Sequence, residues 1–69
     1  MPNVLASLAV KVGAYQRKYP EWREGQTWFN VLYEQHPEIA DDIRGTILDP
    51  FYNDENLPRF FNFLTKQEF

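Results

Sequence analysis

His36 is the only histidine in the chain, and Asp41 and Asp42 follow it within a few residues. A general base or metal ligand needs partners that converge on it, and no serine or cysteine nucleophile stands near this histidine. The pattern favours a structural role for His36 at a helix end. Asp49, Asp54 and Glu55 resemble a cation loop superficially. They lack the alternating oxygen ligands and the central glycine of a calcium loop, so capping and turn formation explain them better. No phosphate-cradling glycine loop, nucleophile motif or paired carboxylates at a catalytic spacing occurs. The reading is a chain without catalytic, metal or cofactor-binding residues.

Residues suited to recognition are more numerous. Gln26 and Asn30 would project together from one helix, either to bind a partner's backbone or to tie down a neighbouring loop, and the loop is the favoured target. Arg44 has Asp41 and Asp49 as local ion-pair candidates. The net charge is -3 and unevenly spread. Residues 1 to 25 carry Lys11, Arg17, Lys18 and Arg23 against Glu21 and Glu24, while acids dominate the remainder. Between residues 38 and 55, six acids face Arg44 alone. That balance argues against generic binding to a phosphate backbone. A helix-turn-helix with residues 37–44 as its second helix would present Glu38, Asp41 and Asp42 to the phosphates, which repel them.

These groups must be positioned by helices. Leu5, Leu8, Val12, Tyr15 and Tyr19 repeat at steps of three and four, which predicts a helix over 4–19 with Asn3 as its cap and Pro20 as its stop. Val10 points away from that stripe. The second helix is expected from about Trp22 or Arg23 to Gln35. Its apolar arc takes in Trp22, Gly25, Trp28, Phe29, Val31, Leu32 and Tyr33, and its polar side takes Arg23, Thr27, Asn30 and Glu34. So broad an arc implies several neighbours, which makes this the central helix. Gly25 lies inside the arc and calls for close approach of a backbone or a ring.

Pro37 opens a short third helix that Gly45 ends with positive φ. Leu57, Phe60, Phe61 and Leu64 define a fourth helix, with Asp54 or Asn56 as its cap. Residues 43–55 form a connector in which Gly45 and Asp49-Pro50 turn the chain, while Ile47, Leu48 and Phe51 plug the end of the core. The expected fold is therefore all-α: one small bundle of three longer helices plus one short helix, with a packed irregular connector.

Composition agrees with that architecture. At 69 residues a chain buries only about 60% of the surface its unfolded form exposes. Six Phe, four Tyr and two Trp supply the large buried areas that such a small core needs. The absence of Cys excludes disulfides, cysteine zinc sites and thiol catalysis, and suits an intracellular protein. Lys11 interrupts the apolar N-terminal run and no basic segment precedes it, so neither a signal peptide nor a membrane span is expected.

Trp22-Arg23-x-Gly25-Gln26-x-x-Phe29-Asn30-x-Leu32, followed by Pro37, Ala40, Ile43-Arg44-Gly45-Thr46 and Asp49-Pro50-Phe51, resembles a group of short uncharacterised proteins of tailed phages and bacterial genomes. The resemblance spans residues 22 to 51 and implies a small phage or prophage product in the cytoplasm of a bacterial host. It implies no activity.

The functional expectation is a non-enzymatic protein that binds a protein partner through an acidic and aromatic surface at Asp41, Asp42, Tyr52 and Asp54. Self-association through Phe63 and Phe69 is a second form of it. The alternatives are a weak nucleic-acid-binding regulator using Lys11, Arg17, Lys18 and Arg23, and a structural virion or assembly component.

Overall fold

A first helix, α1 (Val4–Lys18), buries Val4, Leu8 and Val12, as the three-and-four spacing requires. These coordinates are a computed structural model that describes residues 4–67. Asn3 and Phe69, expected as a cap and a contact, lie outside the described residues. Val10 faces outward. The Tyr19 N–H still reaches the Tyr15 carbonyl at 2.8 Å, and Pro20 then stops the helix.

Helix α2 (Glu24–Gln35) begins later than the expected Trp22 or Arg23. The Trp22 N–H closes a turn onto the Tyr19 carbonyl at 3.1 Å, and its indole stacks on the Tyr19 ring with centroids 4.2 Å apart. Trp22 is thereby committed to the turn and leaves the α2 stripe. Two side chains of α2 also depart from expectation. Thr27 is fully buried, because its hydroxyl donates back to the Arg23 carbonyl at 3.1 Å and leaves only the methyl to pack. Tyr33 is 47% exposed and lies outside the core.

Helix α3 (Pro37–Ile43) follows after His36, which ends one helix and begins the next. Pro37 sits at the start, where its missing N–H costs nothing. Gly45 has φ 77°, the left-handed conformation that ends the helix. The connector leads to a single 3₁₀ turn (Asp54–Asn56) and then to α4 (Leu57–Thr65). Neither expected cap, Asp54 or Asn56, bonds the start of α4 with its side chain. Asn53 accepts the Glu55 N–H at 3.0 Å, whereas Asn56 turns its amide to the Asp49 carbonyl at 3.0 Å and makes no cap bond to α4.

The fold is all-α, with three longer helices and one short one around α2. Buried residues from all four helices form a single cluster among the described residues. Trp28 of α2 meets Phe61 of α4 edge-on at 4.8 Å and Phe60 at 6.2 Å. The start of α1 is joined to the segment after α4 where the Val4 N–H donates to the Gln67 carbonyl at 3.0 Å. Phe63, expected as spare surface, packs partly buried against the core. Among the described residues, no helix is long and apolar enough to cross a membrane.

Candidate functional site

The connector is built on Asp49, which is 5% exposed. Its Oδ2 accepts the Gly45 N–H at 2.9 Å and its Oδ1 accepts the Phe51 N–H at 2.9 Å. Its own N–H donates to the Thr46 carbonyl at 3.1 Å, and its carbonyl receives the Asn56 amide. One side chain thus satisfies the backbone on both sides of the turn, which lets an irregular segment be buried at all. The Thr46 hydroxyl closes the start of the turn on the Ile43 carbonyl at 2.7 Å.

This segment is then fastened to the N-terminal end of α2. The Pro50 carbonyl comes so close that a Cβ on Gly25 would lie 2.2 Å from it. The expectation of a close backbone neighbour at Gly25 is met by this carbonyl. Asp54 Oδ1 accepts the Gly25 N–H at 3.1 Å and lies 3.5 Å from the Arg23 guanidinium. Arg23 also donates to the Phe51 carbonyl. Asp54 therefore satisfies a first-turn N–H of α2 from across the chain, where a carboxylate is favoured by the helix dipole.

Held this way, the connector and the outer face of α2 enclose an open cleft of about 400 Å³ lined by Phe29, Asn30, Tyr33, Arg44, Asp49, Phe51 and Tyr52. The rings form a continuous track. Phe51 meets Phe29 edge-on at 5.9 Å, and Tyr52 meets Phe51 edge-on at 4.7 Å. The Arg44 guanidinium covers the near end, 5.1 Å from the Tyr33 centroid and 5.9 Å from that of Phe29. Asp41 holds it there through an Nη2 to Oδ1 contact of 3.1 Å.

The anticipated interaction residues divide between the cleft and the start of α2. Tyr52 stands 80% exposed on the cleft wall. Asp41 reaches the rim through Arg44, and Asp42 is exposed beside it. Asp54 lies at the start of α2, where it accepts the Gly25 N–H and faces Arg23, with its side chain still 43% exposed. Ile47, expected in the core, is 68% exposed, while Leu48 and Phe51 do pack against the core as expected. Gln26 and Asn30 were expected to bond the connector. That task falls to Asp49, Arg23 and Asp54 instead, and Asn30 lines the cleft.

The alternative basic set does not converge. Lys11 and Lys18 are two helical turns apart on one side of α1, Arg17 leaves from another side, and Arg23 is spent on Phe51 and Asp54. Lys18 additionally lies over the Tyr19 ring at 5.4 Å. His36 Nδ1 lies 3.9 Å from Glu38 at the joint between α2 and α3.

Phe29, Tyr33 and Arg44 are the cleft residues that the sequence pattern assigned elsewhere. The signal for Phe29 and Tyr33 was the width of the apolar arc on α2, which exceeds what one core face can cover, whereas Arg44 follows α3 and carried no such signal. No protein-family model matches the chain, and no curated protein and no solved structure matches it.

Proposed function

We propose that this chain is a small non-enzymatic binding protein, and that the cleft between α2 and the connector receives part of a protein partner. The observation that carries this reading is the track of rings ending in Tyr33 and Tyr52, two large side chains kept at the surface of a chain that has few to spare for its core. Tyrosine and arginine concentrate at protein interfaces because they combine large contact area with a polar end. The cleft is also preformed: Asp49 and the Gly25 contact fix its floor, so binding orders little additional backbone.

Binding is favoured over catalysis by the chemistry of the lining. Asp49 is its carboxylate, and both of its oxygens already accept backbone N–H groups. The likeness of residues 22–51 to short phage proteins suits a product acting in the cytoplasm of a bacterial host. The test is capture of partners from such cells by the native chain, by a Tyr33→Ala/Tyr52→Ala double variant and by Val10→Ser on α1, outside the cleft lining. Capture should be lost with the double variant and kept with Val10→Ser. Equal capture by all three would remove the cleft from the interaction.

A further inference from the structure

The electrostatics of the cleft restrict what can occupy it. Asp49 forms part of its lining and is buried, yet its charge is stabilised by backbone N–H groups and by no cation among the described residues. Asp41 and Arg44 cancel one another. Asp42, on the helix that leads to Arg44, and Glu55, shortly after Tyr52, are exposed and enter no ion pair among the described residues. The lining itself carries one cation, Arg44, and one anion, Asp49, but the segment 38–55 that builds this wall holds six acids against Arg44, so the surroundings of the aromatic surface keep a net negative charge. Such a surface repels carboxylates and phosphates and attracts cations, most strongly where the cation can lie over a ring.

Arg44 shows how a cation fits. Its guanidinium rests over two rings while one edge is held by a carboxylate. The Tyr52 ring offers a comparable face that nothing covers, at the far end of the same track. From this charge complementarity we infer that the occupant is an arginine-bearing segment of the partner protein, with a guanidinium stacked on Tyr52 and the segment's positive charge set against Asp49, Asp42 and Glu55. Arginine suits the site better than lysine, because its planar, weakly hydrated group stacks on a ring and still donates at its edge. This deepens the proposed function and rests on it.

The test uses a synthetic peptide, Gly-Arg-Gly-Arg-Gly, titrated into the isotopically labelled full chain at low salt, with lysine and glutamate analogues of the same length. Amide shifts should concentrate at Tyr33, Arg44, Phe51 and Tyr52. The lysine analogue should bind several-fold more weakly, and the glutamate analogue should leave the spectrum unchanged. Tyr52→Ala should weaken the arginine peptide about fivefold, as expected for loss of a cation–ring contact. Tyr52→Phe should bind like the native chain. Since Tyr52 is exposed, neither variant endangers the fold.

The inference is overturned if the glutamate peptide binds as well, if the arginine peptide shifts α1 instead, or if the same residues shift with protein concentration alone, which would make a second copy the occupant. Loss of partner capture by the Tyr33/Tyr52 variant together with no peptide shifts would leave a cleft that binds protein and refute arginine as its ligand.

Discussion

Asp49 does the most for its size. A buried carboxylate that accepts two backbone N–H groups replaces the regular hydrogen bonding that the connector lacks. Removing it leaves both donors without a partner, and charged hydrogen bonds are worth about 1.5–3 kcal/mol each. Asp49→Ala should therefore lower stability by about 3 kcal/mol in urea unfolding. A loss below about 1 kcal/mol would mean that water replaces the carboxylate readily. The two glycines of this region should respond to alanine for different reasons. At Gly25 the added methyl meets the Pro50 carbonyl carbon and oxygen, which are backbone, so Gly25→Ala should cost about 2 kcal/mol or more. At Gly45 the space is open and only the positive φ is at stake. Gly45→Ala should cost about 1 kcal/mol, and a D-alanine placed there by synthesis should be tolerated without loss. If the two L-alanine variants were equally stable, the contact of Pro50 with Gly25 would be looser than described.

At the scale of elements, α2 is held at both ends by groups far away in sequence. Asp54 and the connector secure its start, and near its end Glu34 accepts the Tyr15 hydroxyl of α1. That hydrogen bond raises the Tyr15 pKa above its ordinary value of 10.0, with partial burial and the Glu34 charge adding in the same direction. Because the folded pKa is the higher one, the contact contributes stability below about pH 10 and loses it as pH rises through the folded value. Tyr15→Phe should be less stable than the native chain near neutral pH, and the gap should close in strong alkali. Following tyrosinate absorbance together with unfolding checks this. A gap that stays constant to high pH would mean the ring, and not the hydroxyl, carries the link.

Across the whole molecule, the helices were legible because their stripes are regular: Leu8 and Val12, Phe60 and Leu64 are where period alone puts them, and Gly45 and Pro37 mark ends through backbone preference. The cleft was legible only in part. Tyr52 and Asp41 stood out by type, but Tyr33 and Phe29 share one apolar arc, and period does not tell which of them faces a neighbour. The structural contacts of Asp54 were not legible, because its partners, Gly25 and Arg23, are distant in sequence, and nothing local signals a cap supplied across the fold. The same long-range fastening converts an irregular connector into one wall of the cleft.

The most direct test of that cleft is a photo-crosslinking amino acid placed at position 52 and, separately, at position 10, each in the full chain expressed in bacterial cells. The account predicts one discrete protein adduct from position 52, mapped to a single contiguous segment of the partner, and none from position 10. Identical adducts from both positions, or none from position 52, would contradict it.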